Sequence, residues 1–429
     1  MQEEATASGH ESKDFFKDIS LVGDPAPYFH ELRSKCPVLR EPHHGVMMVT
    51  GYAEALEVFK QRDVFSSCVA VTGPIPPLPF TPQGDDVSAQ ISKYQADMPW
   101  SAYLVTLDGQ AHGALRAILN GLLTHTRLKK NEEYVRQLCD RLIDGFIAQG
   151  RCEFVSEYAH ALSTLVIADL LGVPEDDREE LLQLLGEPPT QIAGDPEHKS
   201  ARDPLAHLDS RFTGYLEERR DNPRGDMMSD LANARFKDGS EPDLDIPVRL
   251  AKFLFGAGQD TSARLMASCF RLLGECPHLQ HRLRAERNRI PDFIEETLRL
   301  ESPVKTLSRL TRTTTSIGGV AIAAGTIVTL ALGAADRDPR QFESPDELNI
   351  DRSNVRDHVA FSRGSHACPG APLARAETRI TLERFLDRMR DIRICAAAHG
   401  PAAARRYDYV PTYLLRGLSA LHLEFDAAA

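Results

Sequence analysis

Residues 361–375 read Phe361-Ser-Arg-Gly364-Ser-His366-Ala-Cys368-Pro-Gly370-Ala-Pro-Leu-Ala-Arg375. Pro372 suits the first turn of a helix that starts near Ala371, because no backbone N–H is needed there. The sulfur of Cys368 then lies close to a helix N-terminus, where free amide donors favour the thiolate. Glycines on both sides of the cysteine let the backbone come close to a flat cofactor.

Taken alone, Cys368 is more readily interpreted as a buried structural cysteine in a turn, since such cysteines are common and inert. The whole stretch, however, resembles the haem-binding loop of the cytochromes P450, F-G-x-G-x-H-x-C-x-G-x-x-L-A-R. It departs from that pattern at Ser362, where the family has glycine. The resemblance implies that Cys368 is the thiolate ligand of the iron of haem b, and that Phe361, His366 and Gly370 contact the haem.

A long central helix is predicted from Asp245-Ile-Pro247, a cap followed by an early proline, to about Gly274. It contains the segment Gly256-Ala-Gly258-Gln-Asp260-Thr261. Each interior glycine costs about 1 kcal/mol relative to alanine. Two interpretations stay open from the residues alone: a packed crossing with another helix, or a locally opened helix beside something planar.

This segment resembles the oxygen-binding A-G-x-D-T motif of the same family, matched by Ala257, Gly258, Asp260 and Thr261. The resemblance implies that Ala257 and Gly258 contact the cofactor and that Asp260 and Thr261 are catalytic. Oxygen activation needs protons on the distal side of the haem, and a carboxylate and a hydroxyl can relay them through water.

Glu296-Thr-Leu-Arg299 resembles the family's E-x-x-R. On its own the spacing is uninformative, because other pairs share it and are interpreted as surface pairs worth roughly a few tenths of a kcal/mol. These pairs are Glu133/Arg136, Glu175/Arg178, Glu217/Arg220 and Glu286/Arg289. Position favours Glu296 and Arg299, which lie between the predicted central helix and the cysteine loop. The resemblance implies a structural pair that locks the loop region behind the haem.

Two haem propionates would need cationic partners. His112 and Arg116 resemble the family's H-x-x-x-R, and Arg309 matches its P-V-x-x-x-x-R. Each of these residues alone is typical of a solvated surface side chain. Together with His366, they are expected to form an anion clamp.

The composition is that of a globular protein. The chain has 429 residues, of which 42% are hydrophobic, and its net charge of −12 disfavours nucleic-acid binding. The polar, acidic N-terminus predicts neither a signal peptide nor a membrane anchor, and hence a cytoplasmic protein. Eight scattered cysteines without a CxxC pair are expected to be reduced.

The hydrophobic patterning predicts a mainly α fold with a smaller β-rich part. The resemblance covers about residues 25–425 and implies the cytochrome P450 fold, with the haem between the central helix and the cysteine loop and helix. Residues 1–20 are predicted to be a flexible tail, and 21–429 a single domain. Further predictions are a helix over 132–149, a β-hairpin around Ala324-Gly325 within 318–335, and long functional loops at 69–100 and 186–207.

Family analogy places a substrate pocket beside Phe253, Val304, Leu307, Leu414 and Leu415. Apolar side chains with few polar anchors suit a small hydrophobic substrate. A terpenoid, polycyclic or steroid-like molecule is expected, with a fatty acid as a further option. Lys305 is the odd member, and it is expected to reach solvent or pair with a carboxylate rather than meet a polar substrate group.

The chain contains no flavin or iron–sulfur segment, so electrons from NAD(P)H are expected to arrive through a separate ferredoxin and its reductase. Residues 352–384 carry six arginines and no lysine against three acids. This local positive charge suits an acidic ferredoxin, with ordinary solvated arginines as the alternative.

The resemblance implies a monomeric haem-thiolate monooxygenase that inserts one oxygen atom from O2 into its substrate. A peroxide-driven peroxygenase, a haem-thiolate isomerase and a non-catalytic haem-binding sensor are the alternatives. None of them needs the pair Asp260 and Thr261, which therefore favours the monooxygenase.

Overall fold

The computed structural model describes residues 12–185 and 205–428, and over these residues the fold is mainly helical, as predicted. The α-helices are α1 Ser20–Gly23, α2 Ala26–Lys35, α3 Tyr52–Lys60, α4 Ser88–Tyr94, α5 Gly109–Leu122, α6 His125–Asp144, α7 His160–Leu171, α8 Glu175–Leu185, α9 Asp209–Asp221, α10 Met227–Ala232, α11 Asp245–Glu275, α12 Pro277–Ala285, α13 Ile290–Leu300, α14 Leu332–Ala335, α15 Ala371–Arg388 and α16 Ala396–His399. The β-strands are β1 Val38–Arg40, β2 Met47–Val49, β3 Phe65–Ser66, β4 Arg151–Glu153, β5 Thr306–Thr311, β6 Thr315–Ile317, β7 Val320–Ile322, β8 Ile327–Ala331, β9 Met389–Ile394 and β10 His422–Ala427.

The predicted central helix is confirmed as α11, which begins at Asp245 and ends at Glu275. Most of its residues are buried, because α7, α9, α13 and α15 pack against it. The helix is continuous through Gly256 and Gly258, so the locally opened helix that we considered does not form. Gly258 lies instead where a Cβ would come within 3.3 Å of Ile167 on α7, which is the close helix crossing of the alternative interpretation.

The larger sheet has the strand order β1-β2-β8-β5-β3. Strand β2 runs parallel to β8, with Met47 opposite Val328, and β5 runs antiparallel to β8, with Leu307 opposite Leu330. A second sheet places β10 between β4 and β9. Strand β5 carries Arg309, so the larger sheet fixes one member of the predicted anion clamp.

The predicted hairpin at Ala324-Gly325 is wrong in its position. The hairpin joins β6 to β7, and its turn is Gly318-Gly319, where both glycines have positive φ (55° and 81°). Two consecutive left-handed residues favour the tight turns that match the twist of paired strands. Gly325 connects β7 to β8, which belong to different sheets.

Two other boundaries differ from the prediction. Helix α6 starts at His125, where Thr124 caps the backbone N–H of Arg127, and it ends at Asp144 rather than continuing to residue 149. Within the predicted tail, Phe15 is buried against Tyr28 and Phe16 against Tyr413, so the tail prediction is wrong for this part. These aromatic side chains bury apolar area that a flexible tail would leave in water.

The long loop predicted at 69–100 contains the short helix α4 and otherwise lacks long regular elements. Residues 186–204 of the second predicted loop lie outside the described residues, as do residues 1–11 of the tail.

Candidate functional site: a cysteine loop facing a central helix motif

The cysteine loop is held by its own backbone. The N–H of Cys368 donates to the carbonyl of Phe361 at 2.9 Å, and α15 then begins at Ala371. The sulfur accepts hydrogen bonds from the backbone N–H groups of Gly370 and Ala371. Pro369 has no N–H to offer. The helix start therefore provides two amide donors to the sulfur, as its position in the sequence predicts.

Cys368 differs from the other cysteines in exposure. All eight cysteines lie in the described residues, and Cys368 is exposed while the others are buried or half-buried. The protein packed on one side of the thiol raises the pKa of Cys368, whereas the amides of Gly370 and Ala371 and the nearby Arg116 lower it. An accessible sulfur with positive partners is suited to bind a metal.

Ser362 occupies the position at which the family pattern has glycine. Its φ is 59°, in the left-handed region that favours glycine, and its buried hydroxyl has no hydrogen-bond partner among the described residues. The turn therefore keeps the conformation that glycine adopts easily, at the expense of local strain.

The motif on α11 presents an accessible stripe in the middle of a buried helix. Phe253, Ala257 and Thr261 are spaced by four residues, so they share one face, and all three are at least partly accessible. The hydroxyl of Thr261 donates to the carbonyl of Ala257 at 2.9 Å. Asp260 accepts a hydrogen bond from Nε of Arg264 at 2.8 Å. The predicted acid and alcohol thus both have partners on their own helix.

The four residues of the predicted anion clamp come together. The rings of His112 and His366 lie 4.0 Å apart, and Arg116 donates to the carbonyl of Ala367 at 2.7 Å. His112, Arg309 and His366 also line one cavity of about 50 Å³. The clamp is therefore adjacent to the cysteine loop.

The clamp carries positive charge that lacks a protein anion. Arg309 is buried, donates to the carbonyl of Ser308 at 2.8 Å, and forms no ion pair with a carboxylate of the described residues. Burial lowers its pKa to about 10. Among the described residues, the buried Nε2 of His112 also has no hydrogen-bond partner. A buried cation without a counterion is costly, so an anionic ligand would be stabilising here.

The two histidines contribute hydrogen bonds rather than charge. Burial and the neighbouring cations lower the pKa of His366 to about 3, and burial together with Arg116 lowers the pKa of His112. His366 is held by Ser67, whose Oγ is 3.1 Å from Nε2. Sequence reasoning missed this support, because Ser67 lies 299 residues from His366.

These residues fit a haem group. An accessible thiol with two amide donors suits the iron, the stripe on α11 suits a flat ring, and the uncompensated Arg309 and Arg116 suit propionates. The roles of Cys368, Phe361, Gly370, Ala257 and Gly258 at the haem stay predictions.

Glu296 and Arg299 form a buried pair behind the loop. Arg299 donates to both oxygens of Glu296 at 2.7 and 2.8 Å, and it also donates to the carbonyls of Asp336 and Pro345. Glu296 further accepts from Arg352 at 3.3 Å. The pair thus ties α13 to residues 336–352 rather than to the cysteine loop itself. The residue that reaches the loop is the neighbouring Glu295, which sequence reasoning missed because its partners lie 63 and 80 residues away.

The predicted pocket side chains are all half-buried. Val304 and Leu415 face each other in an isolated β-bridge, which brings the start of β5 to the C-terminal segment. Leu307 follows on β5, and Leu414 is adjacent to Leu415. Phe253 lies on α11, where Tyr103 contacts it at 6.0 Å between ring centroids. Their contact with a substrate stays a prediction.

The prediction for Lys305 is wrong. The side chain is 3% exposed, so it does not reach solvent, and its Nζ donates to the carbonyl of Thr412 at 2.5 Å instead of pairing with a carboxylate. The physical reason is the antiparallel contact between β5 and the C-terminal segment, which encloses the amine. Burial, together with the nearby Arg416 and Arg264, lowers the pKa of Lys305 to about 7.

The positive stretch 352–384 is more compensated than its composition suggests. Arg352, Arg375 and Arg379 each pair with glutamate, and Arg384 pairs with aspartate. Arg363 differs, because it donates to the backbone carbonyls of residues 356–358. The sequence count therefore overstates the free charge of this surface.

None of the helices in the described ranges has the length and apolar character that a membrane crossing requires.

Comparisons with known proteins point to one family. A family model described as Cytochrome P450 matches residues 196–390. Cytochrome P450 144 of Mycobacterium tuberculosis is 30% identical over 95% of this chain and 90% of its own length. Steroid C26-monooxygenase of Mycolicibacterium smegmatis is 30% identical over 90% of this chain and 92% of its own. The solved structure of Mycobacterium marinum cytochrome P450 CYP150A6 in the substrate-free form is 53% identical, with a TM-score of 0.91 over 98% of this chain and 100% of that one.

Proposed function

The chain belongs to the cytochrome P450 family and is an oxidoreductase of the monooxygenase type, and we propose that it oxidises a small hydrophobic substrate with electrons from a separate ferredoxin. The observation that carries the proposal is Cys368, an accessible cysteine at a helix start whose sulfur accepts two backbone N–H groups. Haem b, when bound, supplies the iron that activates O2 and inserts one oxygen atom into the substrate.

The residues around the cofactor have separate tasks. Cys368 would ligate the iron, with the amides of Gly370 and Ala371 setting the charge on its sulfur. Arg116 and Arg309 would pair with the propionates, and His112 and His366 would donate hydrogen bonds to them. This assignment gives the uncompensated Arg309 its counterion.

Asp260 and Thr261 would handle protons on the opposite side. The carboxylate of Asp260 would take a proton from solvent and pass it to pocket water, and the hydroxyl of Thr261 would turn from the carbonyl of Ala257 to relay it. For this relay, Thr261 would leave the carbonyl of Ala257 and Asp260 would leave Arg264, the partners that the two side chains have in the structure.

The proposed substrate is terpenoid, polycyclic or steroid-like. The support is the apolar character of Phe253, Val304, Leu307, Leu414 and Leu415, together with a 30% identical relative that is a steroid C26-monooxygenase. A Soret shift during titration with testosterone, camphor, phenanthrene and hexadecanoic acid tests this class. A shift with hexadecanoic acid alone would contradict it.

An acidic ferredoxin is the proposed electron donor, with NAD(P)H as the source, and the enzyme is proposed to act as a monomer. Arg363 supports a docking site, since it keeps positive charge beside the cysteine loop without a carboxylate partner among the described residues. Its replacement by glutamine should lower the rate of electron transfer, most strongly at low salt.

Spectroscopy of the haem-loaded protein tests the central claim. The reduced protein with CO should show the strongly red-shifted Soret band of thiolate-bound haem, and Cys368→Ala should lose it. A band that persists in the variant would disprove the ligand assignment.

Turnover tests the reaction class. NADH consumption with a surrogate ferredoxin system should yield hydroxylated product, and Thr261→Ala should divert most of the reducing equivalents to peroxide. Thr261→Ser, which retains the hydroxyl, is the control. Product formed with hydrogen peroxide alone would favour the peroxygenase, and the absence of any turnover would favour the sensor.

A further inference from the structure

Glu295 forms a buried ionic cluster behind the cysteine loop. The carboxylate lies on α13 and is 2% exposed. Arg375 on α15 donates to both of its oxygens, from Nε to Oε1 at 2.5 Å and from Nη2 to Oε2 at 2.8 Å. His358 contacts Oε2 at 3.1 Å through Nε2. Glu295 thus joins three separate parts of the chain.

The hydrogen bonds determine the charges in this cluster. The backbone N–H of Ala360 donates to Nδ1 of His358 at 3.2 Å, so Nδ1 is an acceptor and the proton lies on Nε2, which donates to Glu295. His358 is therefore neutral. Burial alone would raise the pKa of Glu295, but the hydrogen bonds from Arg375 and His358 lower it to about 2. The negative carboxylate offsets the positive guanidinium.

Arg375 connects the cluster to the cysteine. Its guanidinium lies 4.6 Å from the ring centroid of Phe361, and the carbonyl of Phe361 accepts the N–H of Cys368 at 2.9 Å. The face of an aromatic ring attracts a cation, so the position of Arg375 is coupled to that of Phe361. Glu295 determines where Arg375 lies, because it accepts both arms of the guanidinium.

We propose that Glu295 is a positioning residue for the thiolate: through Arg375 it holds Phe361 against the cysteine loop, and its charge cancels that of Arg375 near the sulfur. This role rests on the proposed ligation of haem by Cys368. It makes the reduction potential of the haem depend on a carboxylate that touches neither the haem nor the cysteine.

The direction of the effect follows from electrostatics. Reduction of the iron adds one negative charge to the haem and its thiolate. A positive charge nearby stabilises the reduced state and a negative charge stabilises the oxidised state, with interaction energies that depend on distance. The pair Glu295 and Arg375 is nearly neutral as a unit, so removal of either partner alone should shift the equilibrium.

Potentiometry of the haem-loaded protein tests the proposal. Glu295→Gln leaves the charge of Arg375 unopposed, so the ratio of ferrous to ferric protein at a fixed ambient potential should rise by about three- to tenfold, tenfold being 59 mV for a one-electron couple. Arg375→Gln at about pH 8, well above the ordinary carboxyl pKa, should lower the ratio by a similar factor. The double variant should return close to the parent value.

A matched control lies one turn further along α15. Glu383 accepts from Arg379 at 2.9 Å and pairs with Arg136 at 3.1 Å, so Glu383→Gln removes a carboxylate from an arginine of the same helix for which no contact with Phe361 is seen in the described residues. The ratio of ferrous to ferric protein in Glu383→Gln should stay within twofold of the parent value. An equal shift in Glu383→Gln and Glu295→Gln would contradict a specific role for Glu295.

The outcomes separate this inference from the proposed function. If the parent protein lacks the thiolate-type CO spectrum, the ligation itself is wrong. If the spectrum is present and neither single variant moves the ratio, the positioning role is wrong. Because Arg375 is 36% exposed and Glu295 only 2%, Glu295→Gln leaves an accessible cation and is expected to fold even if Arg375→Gln, which leaves a buried carboxylate, does not. A changed ratio in Arg375→Gln that the double variant does not reverse would also overturn the proposal.

Discussion

Arg264 donates a hydrogen bond of 2.8 Å from its Nε to Oδ2 of Asp260, one helical turn earlier on α11. Its side chain is 4% exposed, and its buried Nη1 has no partner among the described residues. It passes so close to Gly417 that a Cβ there would lie 2.5 Å from Nη1. The acid proposed to deliver protons is therefore held by a buried cation that the C-terminal segment encloses. Release of the Asp260 carboxylate from Arg264 would allow it to take up a proton.

Replacement of this acid should slow proton delivery. Asp260→Asn keeps the size of the side chain but cannot carry a proton, so product formation should fall by about one to two orders of magnitude. The solvent isotope effect on turnover should rise. Asp230→Asn, an exposed partner of Arg127, is the control and should leave both values unchanged. An unchanged rate in Asp260→Asn would mean that the pair with Arg264 is only structural.

Pro369 removes one possible amide donor to the sulfur. Pro369→Leu restores an N–H with similar bulk. If that N–H reaches the sulfur, it withdraws charge from the thiolate, and the haem reduction potential should rise by up to roughly 65–130 mV, since such a bond is worth about 1.5–3 kcal/mol and about 1.4 kcal/mol is 59 mV for a one-electron couple. Potentiometry measures the shift. A potential that stays put or falls would leave Pro369 with only a stiffening role in the turn.

Ser362 makes the cysteine loop less stable than glycine would at the same position. Ser362→Gly removes the cost of a left-handed φ, about 1–2 kcal/mol, and a buried hydroxyl without a partner, while it adds about 0.5–1 kcal/mol of chain entropy. The free energy of unfolding in urea should therefore rise by about 1 kcal/mol. Ser353→Gly, at an exposed position without positive φ, should lower it. A loss of stability in Ser362→Gly would refute the strain.

Lys305 should make stability depend on pH. Its pKa in the folded chain is about 7 against 10.5 for an unperturbed lysine, so between these values unfolding takes up a proton. The free energy of unfolding should rise with pH over this window, by up to about 1.4 kcal/mol per pH unit. Lys305→Met should be more stable than the parent at pH 7, by about 1–3 kcal/mol, and should lose this slope. Urea unfolding at several pH values measures the stability difference and the slope. If the free energy of unfolding has the same dependence on pH in the parent and in Lys305→Met, the depressed pKa is contradicted.

The residues that could be predicted from the sequence are those with a local signal. Cys368 lies in a turn-to-helix pattern and α11 has an early proline, so the turn and the start of the helix could be located, although Asp245 lies inside the helix and does not cap it. The hairpin was misplaced because Ala324-Gly325 and Gly318-Gly319 both look like turns. Only the pairing of the strands distinguishes between them.

The interactions that could not be predicted join distant parts of the chain. The partners of Glu295 are His358, which precedes the cysteine loop, and Arg375 on α15, and no spacing in the sequence indicates them. From its neighbours in the sequence, Lys305 was predicted to reach solvent or a carboxylate, because the residue that encloses it, Thr412, lies 107 residues later. Composition likewise overstated the positive surface at 352–384, since the partner of Arg384 is Asp140 on α6.

The parallel pairing of Met47 with Val328 has a consequence for how the chain folds. Strand β2 leaves the ribosome well before its neighbour β8, which follows 281 residues later (328 − 47). At about 5–20 residues per second, that interval is roughly 15–60 seconds of synthesis. The N-terminal strands therefore wait with unpaired edges while the helices form from local contacts. Pairing of β2 with β8 is therefore a late event with high contact order, and β1 and β2 are the segments most exposed to aggregation during that wait.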